Sequence, residues 1–243
     1  MTELESPAGT ALVTGANRGL GLEYCRQLVA AGWQVLAGCR DPARTTALAE
    51  LSARVPGRLR LEQLDVTSEA DVARLAGGLA AQPLDLLINN AGTFGPEGSP
   101  GGMRYQSLSF MDYDVWRDVL EVNLLAPFRL TVALAPALRR SHRPVVVMLS
   151  SDLGSIANNR LGQSHAYRTS KAGLNMLTKG IANEWRDITI VSMAPGWCRT
   201  ELGGAEAEID PAESVAAQLD TFARLTPADS GRFIDRFGAT VAW

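Results

Sequence analysis

The stretch Thr10-Ala11-Leu12-Val13-Thr14-Gly15-Ala16-Asn17-Arg18-Gly19-Leu20-Gly21 governs how the rest of the chain is read. A short apolar run suited to a strand, residues 10–13, gives way to three glycines and then to a helix-compatible segment, residues 20–31. A glycine pattern gains meaning from this strand, turn and helix context. Gly15 permits a sharp exit from the strand, Gly19 lets backbone approach a pyrophosphate, and Gly21 allows a helix to lie close on a sheet. The helix N-terminus adds free N–H donors and partial positive charge. Gly15, Asn17, Arg18, Gly19, Leu20 and Gly21 are therefore candidate dinucleotide contacts. Their spacing departs from the usual GxGxxG pattern, and the alternative is a tight turn with no ligand.

The alternation of apolar runs and helical segments continues along the chain, as in βαβ units around a parallel sheet. It predicts strands at residues 10–13, 34–38, 59–63, 84–89, 145–149, 189–193 and 231–234, and helices at 20–31, 43–53, 68–81, 112–140, 166–185 and 211–225. Wholly apolar strands such as Val145-Val146-Val147-Met148-Leu149 suit burial on both faces. The expected fold is α/β, a single doubly wound domain over residues 1–243 with about seven parallel strands and helices on both faces, carrying its own substrate site. The segment 92–102, with Pro96 and Pro100, reads as an irregular surface loop or pocket rim.

A length of 243 residues leaves little room for a second domain, and 46% hydrophobic with 20% charged residues is ordinary globular composition. A formal net charge of -3 gives no basic footprint for nucleic acid. The first ten residues show neither a signal peptide nor a membrane anchor, so the expected location is the cytoplasm. Cys25, Cys39 and Cys198 lack CxxC spacing and read as small core hydrophobes, with a reactive thiol the alternative for Cys198. His142 and His165 lack ligand spacing, and no metal is expected.

After the second strand the chain reads Gly38-Cys39-Arg40-Asp41. An NAD site usually presents an acidic residue here for the ribose hydroxyls. Arg40 comes first instead, and with Arg18 it suits a 2′-phosphate, so NADP(H) is favoured over NAD(H). The alternative is two solvated arginines, with Asp41 capping the next helix.

Farther along, Ser150-Ser151 ends an apolar strand, and Tyr167 and Lys171 lie one helical turn apart. Residues i and i+4 share a helix face, so the Lys171 ammonium can favour the ionised form of the Tyr167 phenol. Lowering an ordinary tyrosine by about three units takes roughly 4 kcal/mol, which a lysine and a second cation, such as an oxidised nicotinamide ring, could share. The pattern points to hydride chemistry.

With the glycine loop, Asn89-Asn90-Ala91-Gly92, Asn123 and Tyr167-Arg168-Thr169-Ser170-Lys171, the chain resembles the short-chain dehydrogenase/reductase family over essentially its whole length. Gly154-Ser155-Ile156, Ala166-Tyr167-Arg168, Pro195-Gly196-Trp197 with Thr200, and the tail ending at Trp243 resemble its C-factor and Sniffer-type carbonyl reductases. The resemblance implies an NAD(P)-binding Rossmann domain in which Asn123, Ser151, Tyr167 and Lys171 are catalytic. Tyr167 would exchange a proton with the substrate oxygen, Ser151 would hydrogen-bond that oxygen, Lys171 would bind the nicotinamide ribose and tune Tyr167, and Asn123 would hold a water leading to solvent. Asp65 and Val66 would lie near adenine, Asn90, Ala91 and Gly92 along the ribose and pyrophosphate, and Pro195, Gly196 and Thr200 beside the nicotinamide. Structural alternatives stand beside these: Asp65 ending a strand, Asn90 stabilising a turn, and Pro195-Gly196 punctuating a loop.

The interval from Ser151 to Tyr167 is longer than in most family members, which leaves Ser155 as an alternative catalytic serine and makes 157–162 a bulge at the site's mouth. The segment 201–210 reads as a lid or as a plain connection. Phe94, Leu153, His165, Met193 and Trp197 are candidate pocket walls for an apolar or aromatic carbonyl. The partners implied are a small carbonyl or alcohol substrate, no nucleic acid and no membrane. A homo-oligomer through the helices at 112–140 and 166–185 is in keeping with the family, although sheet packing explains their apolar content equally. The leading reading is an NADPH-dependent carbonyl reductase or alcohol dehydrogenase. An NADP(H)-binding sensor or signalling protein is the second, and an epimerase or dehydratase the third.

Overall fold

The computed structural model describes residues 8–99 and 101–243. Residues 1–7, most of the segment read for a leader, and Pro100, counted in the polar loop, lie outside the described residues. Among the described residues, seven strands form one sheet: β1 (Thr10–Thr14), β2 (Gln34–Cys39), β3 (Leu59–Gln63), β4 (Leu86–Asn89), β5 (Val145–Leu149), β6 (Thr189–Ala194) and β7 (Phe233–Asp235). Their order is β3-β2-β1-β4-β5-β6-β7, and every pairing is parallel. The chain winds outward from β1 in one direction and from β4 in the other. In such sheets a crevice opens beyond the carboxyl ends of the strands where the order reverses, here between β1 and β4.

The side chains of each strand alternate between two cores. Ala11, Val13, Val145 and Val147 face one side, with Tyr24 and Leu28 of α1 (Gly19–Ala30) and Val215 and Phe222 of α8 (Pro211–Arg224). Leu12, Leu87, Val146 and Met148 face the other, with Val72 and Leu75 of α3 (Glu69–Leu79), Leu130 of α5 (Ala126–Ala133) and Leu174 of α7 (His165–Glu184). Covering both faces explains why these strands are apolar throughout. Ser68 accepts from the Asp71 amide and caps α3, with Glu69 and Asp71 in its first turn.

Four predicted elements need correction. The single helix expected over 112–140 is three α-helices, α4 (Tyr113–Leu120), α5 and α6 (Ala135–Leu138), with a π-helical turn, Glu121–Leu125, between the first two. Prolines are the cause. Pro127 has no N–H for the Asn123 carbonyl four residues back, and Pro136 has none for Val132; the Ala126 amide instead reaches the Glu121 carbonyl, five residues back. The helix expected over 43–53 is a 3₁₀ turn, Pro42–Arg44, followed by α2 (Thr46–Arg54), broken where Thr45 takes φ -111° and ψ 78°. Leu84 precedes the sheet and donates its amide to Ala137. Gly231, at φ 78°, ends a turn before β7.

The glycine loop shows why its residues cannot be larger. Gly15 and Gly19 take φ of 62° and 53°, a left-handed backbone that favours glycine. A Cβ on Gly21 would overlap the Gly15 carbonyl oxygen, so α1 could not pack against the end of β1. Gly21→Ala is expected to destabilise the fold by roughly 1–3 kcal/mol, the usual range for overpacking, measured by urea unfolding.

Candidate active site

The carboxyl ends of β1 to β6 surround one cleft of about 1250 Å³. Gly15, Asn17, Arg18, Gly19 and Leu20 form its floor after β1, and Arg40 stands exposed on the rim after β2. Asp65 and Val66 follow β3, and Asn90, Ala91 and Gly92 follow β4. Ser151, Tyr167 and Lys171 line the opposite wall, with Pro195, Gly196 and Thr200 after β6. Gly21 and Asn123 stand behind the lining: Gly21 packs the helix, and Asn123 supports the wall.

Several of these residues also hold the cleft together. The Asn90 side chain donates to the carbonyls of Thr14 (2.7 Å) and Gly15 (3.3 Å), tying the end of β4 to the glycine loop. Thr14, which the sequence reading passed over, completes that tie: its hydroxyl accepts from the amides of Asn90 (3.0 Å) and Ala91 (2.9 Å). The Asp65 carboxylate accepts from the Thr67 amide and hydroxyl. Asp41 accepts from the Ala43 amide and caps the 3₁₀ turn. Arg18 and Arg40 both reach the cleft, but the Arg18 guanidinium pairs with Glu201.

The serine run separates in space. Ser151 opens onto the cleft beside Tyr167, whereas Ser155 is buried, accepts from the Asn158 amide and lies against the Trp243 carbonyl. The Ser150 hydroxyl donates to Asn175 within the core. On α7 the Tyr167 ring packs 4.8 Å from the Phe94 ring, and the Lys171 Nζ stands 5.6 Å from the Tyr167 ring centre. That Nζ donates to the Leu149 carbonyl at 2.7 Å.

Spacing alone predicts an ammonium that lowers its neighbour's pKa, but burial dominates here. It pushes the Tyr167 phenol up to about 12, with the nearby Ser151 hydroxyl working the other way, and pulls Lys171 down to about 8. Both shifts favour the neutral form, as removal from water does to any charged group. Tyr167 is accordingly loaded with its proton at neutral pH.

The side chain of Asn123 is fully engaged: Oδ1 accepts from the Thr93 amide, and Nδ2 donates to the Thr93 carbonyl and the Ser170 hydroxyl. It clamps the segment after β4 to α7. Its main-chain carbonyl lies in the π turn opposite Pro127, which cannot donate to it.

Of the pocket walls read from sequence, Phe94, Leu153 and Trp197 line the cleft. Met193 does not; it is wholly buried in the core under α1 and α8. His165 also stands outside the lining, at the start of α7. The bulge at 157–162 is largely exposed, and Leu161 and Gly162 reach the cleft mouth. The segment expected as a lid is held at several points: Ile209 exchanges backbone hydrogen bonds with Trp197 and Arg199, and Ser99 donates to the Leu202 carbonyl.

The cleft fits a dinucleotide on its own features. Left-handed glycines leave the start of α1 open, Arg18 and Arg40 reach the cleft after β1 and β2, and the volume exceeds the roughly 300–1,000 Å³ of common small-ligand pockets. Among the described residues no three His, Cys, Asp or Glu side chains gather as a metal site requires, and no helix is long and apolar enough to cross a membrane.

The family model for short chain dehydrogenase matches residues 9–210. C-signal of Myxococcus xanthus is 35% identical over 170 residues, covering 69% of this chain and 98% of that protein. The NADPH-bound carbonyl reductase from chicken fatty liver has a TM-score of 0.88 at 32% identity, over 98% of this chain and 100% of that one. Carbonyl reductase Sniffer of D. melanogaster has a TM-score of 0.89 at 28% identity, over 97% and 99%.

Proposed function

Because the chain belongs to the short chain dehydrogenase family of oxidoreductases, we propose that it is an NADPH-dependent reductase of an aldehyde, ketone or quinone, with Tyr167 as proton donor. The observation carrying this reading is the meeting of Ser151, Tyr167 and Lys171 on one wall of the cleft at the sheet's switch point. The nicotinamide cofactor supplies the hydride when bound. A substrate oxygen between Ser151 and Tyr167 then meets two hydroxyls, and their hydrogen bonds strengthen as negative charge grows on it. A phenol held near 12 is protonated at physiological pH, the form that reduction of a carbonyl requires. Lys171 holds the nicotinamide ribose, and a water on the Asn123 carbonyl links it to solvent. Leu153, Phe94 and Trp197 present apolar surface to the substrate, which suits an aromatic or apolar carbonyl.

The phosphate preference rests on Arg40, which has no acidic neighbour ahead of it at the end of β2. One domain thus holds both cofactor and substrate. The test is a panel of aldehydes, ketones and quinones followed by loss of reduced-nucleotide absorbance, run with NADPH and with NADH. Turnover with NADPH and at least one carbonyl is expected; a chain that binds NADPH and turns over nothing in the panel contradicts the reading. In the same assay Arg40→Ser is expected to raise KM for NADPH about tenfold or more and to leave NADH unchanged, since a charged hydrogen bond contributes about 1.5–3 kcal/mol.

A further inference from the structure

Helix α7 begins without a cap of its own. Ser164, at the N-cap position, takes φ 48° and ψ 41°, and its side chain makes no capping bond. Gln163 before it is also left-handed, at φ 58°. The first amides of a helix have no acceptor within it, and one of them belongs to Tyr167. That N–H donates, at 2.8 Å, to Oε1 of Gln106, 61 residues earlier in the chain.

The Gln106 side chain is wholly buried, and its other end is equally occupied. Nε2 donates to the carbonyls of Phe94 (2.8 Å) and Gly102 (3.3 Å). The main-chain carbonyl of Gln106 accepts from the His165 amide at 3.2 Å. A carboxamide suits this place because it accepts at one end and donates twice at the other. A carboxylate would lack the donors, and an apolar side chain would leave the Phe94 carbonyl and the Tyr167 amide without these partners.

The two segments joined this way meet again at the site. The Phe94 ring lies against the Tyr167 ring at 4.8 Å. Gly102 makes room for it, since a Cβ there would stand 2.9 Å from the Phe94 Cδ1. One side chain thus fixes the backbone that carries the phenol and also the backbone that carries the ring beside it.

We infer that Gln106 is a positioning residue for the Tyr167 phenol, capping α7 from behind the cleft lining and setting the phenol's place in the cleft. The inference rests on the reading of Tyr167 as proton donor. A group moved by about 1 Å can lose about 10²-fold in rate, so the effect belongs in kcat and not in cofactor affinity, because Gln106 is not among the residues that line the cleft.

The experiment uses the full chain, a carbonyl turned over by the wild type, and two variants. Gln106→Met, similar in size but unable to cap, is expected to lower kcat about 10- to 100-fold with the NADPH Kd unchanged by tryptophan-fluorescence titration. Gln106→Glu gives an independent result even where the Met variant does not fold. Its neutral carboxyl can donate to Phe94 and accept from Tyr167, and burial keeps it neutral to higher pH than usual. Its kcat should approach the wild-type value at acid pH and fall away about tenfold as the carboxyl ionises, a step absent from the wild-type profile. A merely structural role would lower thermal stability without adding this step. A Met variant within about twofold of wild type in kcat, or a ratio of Glu-variant to wild-type kcat that is flat with pH, overturns the inference and leaves the reductase reading standing. A wild-type chain with no turnover overturns both.

Discussion

Replacement of Tyr167 by Phe is expected to lower kcat for carbonyl reduction about 10²–10⁴-fold, the usual contribution of a positioned proton donor. NADPH affinity should stay within about twofold, because one hydroxyl among the many groups lining the cleft is removed. The ring itself is retained, so its packing against Phe94 and its place under Lys171 persist. Stopped-flow measurement of reduced-nucleotide oxidation, with fluorescence titration of NADPH, separates the two quantities. A variant that reduces the carbonyl at the wild-type rate would assign proton delivery elsewhere, with the Ser151 hydroxyl beside the phenol the alternative. The same substitution addresses the second reading of the sequence, an NADP(H)-binding sensor or signalling protein. A biological effect that survives loss of turnover with NADPH binding intact favours a binding role, and an effect lost together with turnover favours catalysis.

The chemistry at this site was more legible from sequence than its framework. The glycine loop, Arg40, the Asn90-Ala91-Gly92 turn and Pro195-Gly196 all follow strands whose apolar runs are plain, so their common location follows once the sheet order is known. Spacing on one helix brings Tyr167 and Lys171 together, but it says nothing about solvent, and burial reverses the expected direction for the phenol. The π turn at Asn123 was within reach, because Pro127 lies at the one position that withholds a donor from the Asn123 carbonyl. Gln106 had no such signal. Its bond to Tyr167 spans 61 residues, and its side-chain bonds all end on backbone atoms, so neither periodicity nor a neighbouring side chain marks it. Thr14 was hidden for the same reason, since its hydroxyl serves the amides of Asn90 and Ala91, in the turn after β4.

Lys171→Met is expected to reduce turnover by roughly 10²-fold or more while making the fold slightly more stable at pH 7. The lysine is buried, and its ammonium is held down to about 8 by removal from water. Between about pH 8 and the ordinary lysine value of 10.5 the unfolded chain binds a proton that the folded chain does not. Wild-type stability therefore rises with pH across that window. Below it, burying the ammonium costs roughly 3 kcal/mol, and methionine avoids that cost. The substitution also leaves the Leu149 carbonyl without the Nζ donor, which offsets about 1–3 kcal/mol of the gain. The net advantage of the variant should be about 1 kcal/mol at pH 7 and should reverse by pH 10, a relative change of roughly 2–3 kcal/mol. Above pH 10 the unfolded chain also begins to ionise Tyr167, whose folded value near 12 makes stability fall with pH from 10 to 12 in both proteins and so cancels from their difference. Urea unfolding of the two proteins at pH 7, 8.5 and 10 reads the difference directly. Parallel stability curves would show that Lys171 does not change its protonation on folding. A variant that keeps full turnover would remove the lysine from the chemistry. The expected result, activity lost and stability gained below pH 8, identifies a charge kept in the core for the reaction at the fold's expense.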